Sequence, residues 1–473
     1  MADTPICHSS HIAFLVTRRE LCLNVTPAVG AAKCGQRSFT YHYHVPTNMT
    51  EGLYWYHPHV HGEVQAQMLM GLSGAIVVEG PQEDRRRAAG IEERVLIVRQ
   101  TQDLDAGKNA AAPMTAAAPT MPGHGKSRPQ AATAIDTAHE LLCASSSGID
   151  ALSLNGTPVP VGDAPESTLA HFAVPAGAAQ LWRILNAATD AFLDLAILDA
   201  AGKSMPFQVV ARDGSPLADD AGRTLAQLAV EQSQMVPPSG RLEILIHAPV
   251  AGTKAYLVTH AVDTGCAGDR LPERRLAVLE TAPGATRPAS APTREISQPN
   301  LFSGLLSRRA DRQRVIALAE YPRPGTEDQI DFYMVERKAG AVLKPYEMGD
   351  PPAITVKAGT TEEWVVENWT NELHAFHIHQ VHFRLLEVDG EPVDNPPLLD
   401  VVNVPYATAT GYHSKEGPVR PGRVRIKLTF PAALAGDIPF HCHLTDHEDN
   451  GMMAVLRVLP YSRRRESSTA AAR

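Results

Sequence analysis

The chain has 473 residues, 43 Lys and Arg against 52 Asp and Glu, a formal net charge of −9 and a hydrophobic fraction of 44%. The length sets a soft expectation of about three domains, and the apolar content is enough for buried cores. No run approaches the ~18 apolar residues of a membrane-spanning helix, and basic stretches as short as Arg85–Arg87 and Arg463–Arg465 argue against a nucleic-acid partner.

Taken in chain order, the first 34 residues hold Cys7, Cys22 and Cys34 and fit no β pattern. The six cysteines form no CxxC pair, so their pairing is open. The N-terminus lacks the basic start, apolar core and small-residue cleavage site of a secretory signal, so the chain as written carries no export address. From about Ser38 onward, short Val, Ile, Tyr and Phe runs are broken by Gly, Pro and Asp, as in "GAIVVEG", "RVLIVRQ", "AITVKAG" and "RVRIKLTF". That pattern predicts an all-β protein built of several β-sandwiches.

Residues 106–135 are rich in Ala and Pro and read as a flexible insertion, and 281–300 read as an irregular connection. The expected blocks are 1–92, 93–290 and 313–460, with a linker over 291–312 and a disordered tail over 461–473.

The chemistry lies in three histidine clusters: "YWYHPHVHG" (54–62), "HAFHIHQVHF" (374–383) and "HCHLTDHEDNGMM" (441–453). In an extended strand alternate side chains share a face, so His57, His59 and His61 are expected to project together. By the same period His441 and His443 share one face of their strand while Cys442 points to the other, so one strand serves two sites. On the Cys442 side, His374, His447 and Met452 complete a His₂Cys set with a weak axial thioether, the ligands of blue copper. On the opposite face, His441 and His443 can meet His377 and His379, and His57 and His59. Six converging imidazoles exceed what one structural zinc requires and suit a multinuclear copper cluster.

The run H-x-x-H-x-H, followed far downstream by H-C-H-x₃-H-x₄-M, resembles the paired C-terminal signatures of the multicopper oxidases, the group that includes laccases, bilirubin oxidase and bacterial cuprous oxidases. The resemblance runs over nearly the whole chain after Gly35 and implies three cupredoxin-like β-sandwich domains. It implies that His374, Cys442, His447 and Met452 hold type 1 copper, that His377 is a type 2 ligand, and that His57, His59, His379, His441 and His443 are type 3 ligands. Glu448 occupies the place of a proton-relaying acid in similar enzymes. An intact member carries four copper ions and couples one-electron oxidation of a phenolic or similar aromatic reductant, or of cuprous ion, to reduction of O₂ to water. A periplasmic or secreted location goes with the family.

One family element is missing. Similar enzymes carry an H-x-H-G motif ahead of the H-P-H pair, and none precedes His57 here. The expected first domain is therefore incomplete, and the alternative function is a non-enzymatic type 1 copper carrier, copper binder or inactive fragment. His42, His44, His8 and His11 are the substitutes within reach. His61, His124, His382 and His413 have no place in the ligand pattern, and Trp182, Arg183 and Asn186 read as core and turn positions.

Overall fold

The computed structural model describes residues 21–25, 39–43, 49–101, 151–282 apart from 163, 224 and 226–228, and 300–460 apart from 324–328 and 410–418. The Ala/Pro-rich stretch 106–135, the tail 461–473, and His8, His11, His44, His124 and His413 lie outside the described residues, as does the side chain of His42.

Alternation of apolar and polar residues produces strands throughout, and the strands pair into two large sandwiches. The first packs an eight-stranded sheet against a five-stranded one, from the strands between Glu92–Gln100 and Arg274–Ala282. The second packs a seven-stranded against a five-stranded sheet, from Arg312–Pro322 to Met453–Leu459. Both mix antiparallel and parallel pairs: Glu92–Gln100 runs parallel to Ala179–Asn186, and Arg312–Pro322 parallel to Thr361–Asn368. Ahead of them, Gly52–Tyr56 and Gly74–Val78 form a two-stranded sheet, and Leu21–Val25 pairs with Phe39–Tyr43, which corrects the expectation that the first 34 residues fit no β pattern. The all-β expectation is met. The helices among the described residues are short, and none is long and apolar enough to cross a membrane.

The alternation of the Thr361–Asn368 strand turns Trp364 and Val366 into a core that also takes Phe376, Phe430 and Phe440. Truncating one such aromatic to Ala costs about 3–5 kcal/mol. The stretch expected as a linker carries packed turns over 300–311, where Phe302 and Leu305 are buried and the backbone N–H groups of Leu306 and Ser307 donate to Asp220. An Asn300 side chain that accepts from the Phe302 N–H starts this turn, so local Asx geometry orders what composition alone marks as irregular.

The small N-terminal sheet is tied to the sandwiches by charge. Arg183, fully buried, is flanked by Glu83, Glu93 and Glu243, and Glu243 also accepts the Leu53 N–H at 2.7 Å. Three carboxylates drawn from three segments meet one guanidinium, which satisfies a charge that burial alone would penalise.

Candidate metal centre

The strand His374–Ile378 lies between Gly436–Cys442 and Val401–Val404 in the five-stranded sheet of the second sandwich. Its register sets His377 opposite His441 and Phe376 opposite Cys442. Residues directly opposite share a face, so the even-numbered face carries His374 and Cys442 and the odd-numbered face carries His377 and His441. Two sites therefore back onto one pair of strands.

On the first face, His374 Nδ1 lies 3.4 Å from Cys442 Sγ, His447 Nδ1 lies 4.0 Å from it, and the two imidazole nitrogens are 3.2 Å apart. All three side chains are buried. Ligands about one ion bonded at ~2.0 Å to nitrogen and ~2.3 Å to sulfur sit at such separations. Burial pushes the Cys442 thiol far up, so a thiolate there requires a positive charge beside it. Burial also lowers His447 to about 3, which leaves its imidazole neutral with a lone pair to donate. Met452 is fully buried, and its carbonyl accepts the Cys442 N–H at 3.0 Å.

On the second face, the Nε2 atoms of His59, His379 and His441 form a triangle with sides of 2.9, 3.1 and 3.2 Å. Three imidazoles turned nitrogen to nitrogen in a buried space are the arrangement of ligands around a cation. His57 and His443 stand beside them with ring centroids 5.1 Å apart. His57 Nε2 and both ring nitrogens of His443 are buried without a hydrogen-bond partner. Such orphaned groups cost about 1–3 kcal/mol each unless something occupies them, and imidazole nitrogens suit copper. His377 donates Nδ1–H to the Asp400 carbonyl at 2.7 Å, which leaves Nε2 as its donor. Burial holds His57, His377 and His443 below the usual imidazole range, so all three are neutral.

The residues fit copper at both faces, though unequally. The described residues bring three nitrogens to one point of the second face and place His57, His443 and His377 around it.

The expectation that His57, His59 and His61 share a strand face is corrected. The strand ends at Tyr56, Pro58 has no N–H to continue a ladder, and the chain turns at 61–63 into the helix Val64–Leu69. His57 stacks on Trp55 at 4.2 Å, whereas His61 sits edge-on to Tyr346, away from the triangle. Asp449 anchors this turn across the molecule, accepting the N–H groups of Gly62, Val64 and Gln65 at 2.7, 3.2 and 2.9 Å.

The short helix Thr445–Asp449 separates two neighbours by the ~100° turn between successive helical residues. His447 faces the thiol, and Glu448 reaches the imidazole triangle, 3.1 Å from His441 Nδ1 and 3.4 Å from His59 Nδ1. Burial alone would raise the Glu448 carboxyl, but His441 and His59 outweigh it and hold it well below the usual carboxylate range. Burial likewise lowers His441, and Glu448 more than reverses that.

Several contacts were not expected from the sequence. Glu320 Oε1 lies 3.2 Å from the outer nitrogen of His374, which also meets Thr370 Oγ1 at 2.8 Å. Glu372 Oε2 lies 3.4 Å from the outer nitrogen of His447. Burial and the neighbouring carboxylates of Glu320, Asp446, Asp269 and Asp190 push Glu372 up to about 10. The "NELH" spacing, an acid two residues before a ligand on the same chain direction, is the local signal for Glu372. Behind His377, Asp400 binds Arg241 through both oxygens at 2.9 and 2.5 Å and lies 3.8 Å from His377 Nδ1 and from His382 Nε2.

The multicopper oxidase profiles match this chain over residues 31–83 and 322–462, the segments that carry the histidine clusters. The laccase of Bacillus subtilis is 24% identical over 431 residues, 87% of this chain and 71% of that protein. The multicopper oxidase of Staphylococcus haemolyticus is 35% identical over 118 residues, 23% of either chain. Among solved structures, a variant of the multicopper oxidase McoA of Aquifex aeolicus superposes with a TM-score of 0.59 at 20% identity, covering 90% of this chain and 80% of that one. A metallo-oxidase of Campylobacter jejuni gives 0.58 at 20% identity, covering 89% and 75%. Sequence profile, relatives and fold agree with the two-faced histidine and cysteine geometry, and this chain belongs to the multicopper oxidase family of oxidoreductases.

Proposed function

We propose that this protein oxidises a small reductant one electron at a time at the His374, Cys442 and His447 centre and delivers the electrons to O₂ at the histidine cluster. The observation that carries this reading is covalent continuity: Cys442 of the first site is bonded along the chain to His441 and His443 of the second. Copper held by these residues would supply the one-electron transfers and the four-electron reduction of O₂ to water. The protein's part is to hold neutral imidazoles toward the interior, to fix the His377 tautomer through the Asp400 carbonyl, and to keep an ionised carboxylate, Glu448, within reach of the cluster for protons. O₂ uptake by the copper-loaded chain with a phenol donor tests it. Uptake that Cys442→Ser abolishes is expected. Blue, copper-loaded protein that consumes no O₂ makes the chain an electron carrier or copper binder.

A second reading of the donor has its own support. Glu372 and Glu320 stand against the outer nitrogens of both imidazoles, with Asp190, Asp269 and Asp446 near Glu372. Burial and crowding keep a proton on Glu372, and a cation arriving there would displace that proton and find a carboxylate, so the cluster favours a cationic donor, cuprous ion, over a neutral phenol. Glu372→Gln is expected to raise KM for cuprous ion about tenfold while leaving KM for the phenol unchanged; equal changes would remove the cation preference. We also assign the protein to the periplasm or the cell exterior, a reading supported by the disulfide that Cys266 forms.

A further inference from the structure

We propose that the junction of the two sandwiches carries a second small-molecule site, separate from the copper ligands, that takes a small organic carboxylate with an apolar body. A cavity of about 250 Å³ opens there between the strands Phe207–Arg212, Ser233–Val236 and Arg241–His247 of the first sandwich and Phe383–Val388 and Val401–Val404 of the second. Cavities at such junctions, apolar with a few placed polar groups, are the common form of ligand site.

Its body is aliphatic, lined by Met235, Val236, Leu385, Val388 and Val402. Its polar groups are Arg212, Asp213, Gln234, Arg241 and Asn403, of which the two arginines and the asparagine each keep one buried atom, Nε or Oδ1, without a hydrogen-bond partner. Unmade hydrogen bonds of that kind are uncommon in a folded interior. The guanidinium of Arg241 is otherwise committed, its two terminal nitrogens to Asp400. Asp213, which also reaches the lining, accepts the Arg241 backbone N–H at 3.0 Å and lies 3.8 Å from its guanidinium. Arg212 has less: a Gln234 side-chain oxygen, and Glu231 no nearer than 4.0 Å. Arg212 thus brings to a largely apolar cavity a guanidinium with no carboxylate nearer than 4.0 Å, the complement of a ligand carboxylate.

The ligand would be an acid of benzoate size. The strand Val401–Val404 forms one wall and is hydrogen-bonded along its length to the strand of His374 and His377, but neither histidine lines the cavity. The site therefore does not depend on the oxidase reading.

Isothermal titration of the copper-loaded full chain with sodium benzoate tests this, because benzoate offers the carboxylate and has no phenol to oxidise. Benzamide serves as the neutral match. Saturable benzoate binding is expected, with benzamide weaker by about tenfold or more. Arg212→Gln is expected to weaken benzoate about tenfold, and Val388→Phe, which fills the cavity from a half-buried position, to abolish binding while the thermal unfolding curve stays in place. Absence of saturable binding overturns the proposal, as does equal binding of benzamide or unchanged binding to Val388→Phe.

Discussion

Arg241→Met removes the cation that lies between two buried carboxylates. Arg241, Asp400 and Asp213 are all nearly without solvent exposure, and the arginine reaches Asp400 through two hydrogen bonds and the Ser239 carbonyl through a third. Methionine fills most of the volume but leaves Asp400 ionised in the interior with no counter-charge. Breaking a buried pair from one side costs about 3–5 kcal/mol, and for a unit of this size each kcal/mol moves the midpoint by about 2–4 °C. The apparent midpoint of the sandwich transition should fall by roughly 6–20 °C in scanning calorimetry. Replacing both partners, as Arg241→Met with Asp400→Leu, removes the orphaned charge and should recover much of that loss, a coupling of about 1–3 kcal/mol. A single variant that loses less than about 1 kcal/mol, or a double variant whose loss equals the sum of the singles, would refute the reasoning that these two buried charges satisfy each other.

Three further outcomes follow from the same geometry. Burial pushes the Asp213 carboxyl up to about 7 from an ordinary 3.8. Its folded state holds the proton more tightly, so its contribution to stability is complete below about pH 4 and is lost as pH rises through about 7. Asp213→Asn, an exchange that its left-handed φ of 49° tolerates, should flatten the midpoint against pH over that window, and an unaltered slope would refute the assignment. Asp449→Ala frees the three N–H groups of residues 62–65, and amide exchange there should accelerate about tenfold or more while the strand Met453–Leu459 stays protected; unchanged exchange would show that the anchor is unnecessary. Gly422→Ala would set a Cβ 1.9 Å from the Pro405 carbonyl oxygen, so a loss of about 1–3 kcal/mol is expected in denaturant titration, and a neutral effect would mean the strand shifts freely.

How far the sequence spoke depended on whether a residue sits in a strand. The period of two separates His377 and His441 from His374 and Cys442 because those residues occupy paired strands whose register preserves the alternation. The same rule misplaces His61, since the ladder stops at Tyr56 and Pro58 begins a turn that alternation cannot describe. Short helices are equally silent in the sequence: "TDHED" shows no run of helical period, yet one turn of helix is what sends His447 and Glu448 to different sites. Glu320, Asp400 and Arg241 gave no usable signal, because the partner of each lies far along the chain, on another strand or in the other sandwich. Their roles exist only in the folded chain, where burial forces every charge to find a neighbour.

The central claim is that one strand pair builds two separate metal sites, back to back. Copper per folded chain, measured by elemental analysis after reconstitution and removal of loose metal, tests it most directly when the wild type is set beside Cys442→Ser and His441→Ala. The account predicts that Cys442→Ser loses the blue colour and a single copper ion and keeps the rest. His441→Ala should do the reverse, losing copper from the cluster and staying blue. Loss of both kinds of copper in either variant, or a wild type that binds copper without a blue colour, would contradict it.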